Sequence, residues 1–184
     1  MLLQSSTATL GENSIVSNSA VHLGGGVFVE GCSVTVRANE VFSNSAIVGG
    51  GGLFLTTSEV TLSENSVLSN TADFGGGVQV VESTVTFDNN TINGNTAKER
   101  GGGVFIGGSD NVTLEGNFIA HNMADAGGGI FARASTILLE RNVIEDNAAD
   151  QSGGGLYLRE GSKAELVNNI VADNRADVAG SGLY

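Results

Sequence analysis

The sequence predicts an all-β chain wound as a parallel β-solenoid. It has about seven coils of 25–27 residues, each carrying three short strands. Three observations predict this. One phrase recurs at near-constant spacing, and a fixed period of this length marks a repeat architecture. Each copy alternates apolar and polar residues at period two, the mark of a half-buried strand. Nothing with helical periodicity lies between the copies, and the chain has no proline. The third position of the glycine triplet falls at Gly26, Gly52, Gly77, Gly103, Gly129, Gly155 and Gly182, in steps of 26, 25, 26, 26, 26 and 27.

Each element of the coil follows from its residues. The glycine triplet is a tight corner where the backbone packs closely with no side chain in the way. The first strand, Val27-Phe28-Val29 in the second coil, points Val27 and Val29 inward. The second strand does the same with Val34 and Val36, and the third with Val41. The equivalent residues of the other copies are almost all aliphatic, as in the column Ile15, Val41, Val67, Ile92, Ile119, Ile144 and Val171. These five inward columns form the core, and their burial holds the rod together.

Two asparagines flank the third strand. The first column is Asn13, Asn39, Asn65, Asn90, Asn117, Asn142 and Asn169. The second is Asn18, Asn44, Asn70, Asn95, Asn122, Asn147 and Asn174, and each of these is followed two residues on by alanine. They sit where the chain turns, so asparagine is expected to take the left-handed backbone there. Stacked in register, each amide can also bond the asparagine of the next coil. A phosphate-cradling role for the glycines is poor, because no helix follows them.

The repeats resemble those of right-handed parallel β-helices of the pectate-lyase-like superfamily. They are particularly similar to the repeats of chlamydial polymorphic outer-membrane proteins. Gly25-Gly26-Val27 and Val41-Phe42-Ser43-Asn44 are the local counterparts of that family's Gly-Gly-Ala-(Ile/Leu/Val) and Phe-x-x-Asn motifs. This chain uses Gly for that Ala, and Ile or Val for that Phe, in nearly every copy. The resemblance implies a right-handed, single-stranded parallel β-helix over all 184 residues. The coils are placed approximately at 1–26, 27–52, 53–77, 78–103, 104–129, 130–155 and 156–182, in a single domain.

Net charge is −12, which argues against nucleic acid and anionic membrane surfaces as partners and suits an extracellular surface. The single cysteine, Cys32, provides no internal disulfide; it stands at a turn where other copies have Ser58, Ser83 or Ser135. No signal peptide and no long apolar run for membrane insertion is visible. Met1-Leu2-Leu3 starts in phase with Val27-Phe28-Val29, and Gly182-Leu183-Tyr184 ends just inside an eighth copy. Two expectations follow: a fragment of a longer secreted or cell-surface protein, or a subunit whose uncapped ends associate head to tail.

Function is then expected on outward positions. One outward column contains Phe28, Phe54, Phe105, Phe131 and Tyr157, interrupted by Gln79. Its structural reading is stacking between strands; its functional reading is a strip that binds carbohydrate or another protein surface. Thr9, Thr35, Thr61, Thr86 and Thr113 form another column, which β-propensity explains better than ice binding does. Late in the chain Asp146, Asp150, Asp173 and Asp177 crowd one corner. Either they form a charged, solvating face, or they hold a divalent cation, Ca2+ being the natural choice for oxygen ligands. For an enzyme, the resemblance requires a carboxylate pair or trio with a basic residue in a cleft walled by long loops. Coils this regular supply no such loops, and Arg175 beside those aspartates is the only constellation to nominate. No catalytic residue is assigned, and the expected role is a rigid stalk or adhesive surface. A polysaccharide-binding or polysaccharide-degrading β-helix is the alternative.

Overall fold

The computed structural model describes residues 1–184, and they form a parallel β-solenoid with no helix. The first coil contains β1 (Leu2–Gln4), β2 (Thr7–Gly11), β3 (Ser14–Val16) and β4 (Ser19–Ala20). Six further coils repeat the set. The strands stack as four seven-stranded parallel sheets, each holding one strand from every coil. At roughly 4.8 Å per coil the rod is about 34 Å long.

Four strands per coil replace the three expected. The fourth is only two to five residues long and turns one alanine inward, as in Ala72, Ala97 and Ala124. A strand with a single small inward residue has no apolar alternation to read. The other three sheets stack in unbroken register, so that Val60 pairs with both Val34 and Val85. Register shifts occur only in the fourth sheet, where strand lengths vary.

The five inward columns form one core, and in the middle coils Val78, Val80, Phe87 and Ile92 have no exposed surface. Toward the two ends of the stack the same columns open to solvent, as at Met1 and Leu166.

Both asparagine columns are hydrogen-bonded ladders. Asn95 is typical: its Oδ1 accepts from the Asn70 backbone N–H at 2.9 Å and from Asn70 Nδ2 at 3.0 Å. Its own Nδ2 donates to Asn122 Oδ1 at 3.0 Å and to the Val67 carbonyl at 2.9 Å. The amide thus does more than link asparagine to asparagine: it also satisfies main-chain groups that the turn leaves without partners. The left-handed residue, however, is the one before each asparagine. Ala38, Ser43, Ser69, His121 and Asp146 have φ between 51° and 55°, whereas the ladder asparagines do not have positive φ. The left-handed residue swings the chain through the corner, and the asparagine then points inward into the ladder.

A third ladder runs along the corner between the first and second sheets. Ser109 N–H donates to Ser135 Oγ at 3.1 Å, and Ser135 Oγ donates to the Arg133 carbonyl at 2.7 Å. Cys32 occupies this column with sulfur in place of oxygen. Its Sγ accepts from the Ser6 N–H at 3.4 Å and faces the Glu30 carbonyl at 3.2 Å.

The glycine corner is needed twice over at adjacent positions. Gly50 has φ +61°, and its missing side chain leaves room for the Phe54 Cβ. At Gly51 a Cβ would stand 2.4 Å from the carbonyl oxygens of both Gly76 and Thr71. Main-chain atoms of two successive coils meet there, so no side chain fits.

Candidate functional site

The outward column of the first sheet borders the fourth sheet, because the glycine corner joins one to the other. Phe28 and Phe54 stack with centroids 5.3 Å apart. Phe105, Phe131 and Tyr157 continue as a second stack at 5.4 and 5.0 Å, with interplanar angles of 5° and 9°. Gln79 separates the two stacks, as the sequence shows.

The rings face away from the core, as expected, but they do not form an open strip. Phe54 is 7% exposed, Phe105 3% and Phe131 0%, while Phe28 and Tyr157 are half-buried. Their cover comes from the fourth sheet and from neighbouring outward positions. Phe74 and Arg100 are register partners at the ends of Thr71–Phe74 and Thr96–Arg100. The Phe74 ring stands edge-on to Phe105 at 5.8 Å. The Arg100 guanidinium lies 5.4 Å from the Phe131 centroid and 6.0 Å from that of Phe74. Arg133 lies 5.8 Å from the centroid of Phe105. The outer surface of this groove is therefore guanidinium rather than ring face. No signal in a single copy announces this, because the covering residues belong to a different strand from the rings they cover.

Gln79 is nine-tenths buried in the same groove, and its Oε1 has no hydrogen-bond donor. That oxygen lies against Gly49, where a Cβ would come within 1.7 Å of it.

The acidic corner is not gathered into a site. Asp146 and Asp173 are the left-handed turn residues, with φ of 51° and 52°. Asp150 lies across the inward-facing Ala149, on the strand Ala148–Ser152, and Asp177 follows the strand Arg175–Ala176. The four carboxylates thus form two columns on either side of the fourth strand. Arg175 pairs with Asp177 at 2.8 Å, and His121 approaches Asp146 at 3.8 Å. Nowhere do three or more His, Cys, Asp or Glu side chains come together in a geometry that holds a metal ion.

The elements together define a class of protein, the β-solenoid stapled by polar ladders at its corners. The chain belongs to the right-handed β-helix region family, which it matches over residues 25–184. The handedness of the winding comes with that membership. Comparison with curated proteins and with solved structures returns no match.

Proposed function

We propose that this chain is a rigid, non-catalytic β-helical segment of a secreted or cell-surface protein, serving as a spacer and presenting its lateral faces to a partner. The observation that carries the reading is regularity. Three of the four sheets keep register through all seven strands, and the departures in the fourth are local shifts rather than inserted loops. A polysaccharide-cleaving β-helix needs walls around its acids, and here the turns hug the rod. The hydrogen-bonded corners, three ladders deep, oppose bending between coils.

The test uses the protein that carries this segment. Removing residues 53–77 joins Gly52 to Val78, which occupies the position of Leu53 in the repeat. The shortened protein is expected to fold and to lose about 4.8 Å of rod length by X-ray scattering. Its reach toward a partner should shorten with the rod. Release of reducing ends from a polysaccharide, abolished by Asp177→Asn or Arg175→Gln, would overturn the reading.

A further inference from the structure

Arg100 and Arg133 lie over neighbouring rings of one stack, and neither makes a salt bridge or a side-chain hydrogen bond. The four other arginines all have carboxylate partners: Arg37 with Glu64, Arg141 with Glu115 and Glu140, Arg159 with Glu160, and Arg175 with Asp177. The chain has 20 Asp and Glu against eight Lys and Arg, so two unpaired arginines cannot reflect a shortage of acids. They border a pocket of about 270 Å³, whose other walls include Val48, Phe74, Gln79 and Val81. No acidic residue lines it. Gly107, on the first-sheet strand Val104–Gly107, lets the Phe105 ring and Arg133 pack close, since a Cβ there would meet the ring at 3.0 Å and Arg133 Nε at 3.6 Å.

Two guanidinium groups that line one pocket repel each other, and an anion bound in it relieves the repulsion. Contact with the rings, at 5.4 and 5.8 Å from the centroids, places each guanidinium without using its hydrogen-bond donors. Those donors suit a planar carboxylate. The apolar walls suit a short aliphatic stem. Sugar docking by ring stacking is disfavoured, because Phe105 and Phe131 have no free face. We propose that Arg100 and Arg133 form a carboxylate-binding pocket that receives a glutamate or aspartate side chain of a polypeptide partner. This goes beyond the spacer reading and stands or falls separately from it.

The experiment is fluorescence anisotropy with a short labelled Glu-Ala peptide, at about 0.15 M salt. There the Debye length is about 8 Å, so the rod's overall negative charge is screened while contact pairs persist. Saturable binding is expected, weakened about tenfold or more in the Arg100→Gln/Arg133→Gln variant. Arg133→Gln alone, at an exposed position, should lose part of the affinity without affecting the fold. The double lysine variant should fall between, since it keeps charge but not the planar fork. Arg141→Gln, whose partners lie outside the pocket, should change affinity less than about twofold. Absence of binding by the parent protein would overturn the proposal, as would unchanged binding by a folded double glutamine variant. Tighter binding of oligogalacturonate than of the peptide, at equal carboxylate concentration, would overturn the polypeptide assignment in favour of an acidic glycan.

Discussion

Replacing Asn95 by alanine tests whether the ladders hold the rod together. Asn95 has no exposed surface. Losing its side chain strands the Asn70 backbone N–H, which bonded Oδ1 at 2.9 Å, and one Asn70 Nδ2 hydrogen, which bonded it at 3.0 Å. The Val67 carbonyl loses a donor as well, whereas Asn122 Oδ1 keeps the Asn95 N–H. A stranded buried group costs about 1–3 kcal/mol, so two stranded donors imply a loss of about 2–6 kcal/mol. Asn13 makes an internal control. Its side chain only donates to Asn39 Oδ1, which still receives the Asn13 N–H, so Asn13→Ala should cost no more than about 1 kcal/mol. Urea unfolding gives the two costs, and hydrogen exchange at the Asn70 amide reports the local opening. A loss for Asn95→Ala below about 1 kcal/mol, or equal to that for Asn13→Ala, would refute the reasoning. Asn95→Asp adds a pH signature. It sets a carboxylate against two acceptors, the Val67 carbonyl and Asn122 Oδ1, so its folded pKa must rise above the usual value of about 3.9. Relative to the parent, this variant's stability should be highest below about pH 4 and fall as pH rises through the folded pKa.

Three further outcomes are expected. Gly51→Ala should cost more than about 3 kcal/mol, because its Cβ meets main-chain oxygens at 2.4 Å, while Gly161→Ala, with nothing within 4 Å but φ of +76°, should cost about 1 kcal/mol; urea midpoints separate them. Cys32→Ser should leave stability unchanged or raise it by up to about 1 kcal/mol by completing the serine ladder, whereas Cys32→Val removes the acceptor of the Ser6 N–H and should destabilise. Phe131→Ala should cost about 3–5 kcal/mol although the ring faces away from the core, and Tyr184→Ala, at 54% exposure, should cost less than about 1 kcal/mol; calorimetry of the two variants checks that burial decides.

The residues that turn inward were legible because period-two alternation, repeated in every copy, leaves one register that buries Val34, Val60 and Val85 together. The asparagine ladders were legible for a related reason: a polar residue held at one position between apolar runs must find a partner inside. The fourth strand was not, since its single inward alanine carries no alternation. Nor was the serine ladder, because serine is common at turns for local reasons and gives no sign that Oγ serves the next coil. The left-handed corner was misplaced by one residue, since Ala38 and Arg141 occupy it with side chains that have no special tolerance for positive φ. The aromatic column was found, but its exposure was not. Covering Phe131 depends on how far Arg100 reaches from a different coil, and period and spacing carry no information on that.

The corner bonds have a mechanical consequence. Main-chain links such as Gly25 N–H to the Gly50 carbonyl, and side-chain links such as Asn39 Nδ2 to Asn65 Oδ1, all run from one coil to the next, along the rod's axis. A sideways load is shared by many coils acting together. A pull along the axis instead opens bonds end-on, at one interface at a time. Each coil of 25–27 residues that peels away extends from about 4.8 Å to roughly 85–90 Å. Under tension the rod is therefore a coiled tether, stiff until the end coil yields and then lengthening in nearly equal steps.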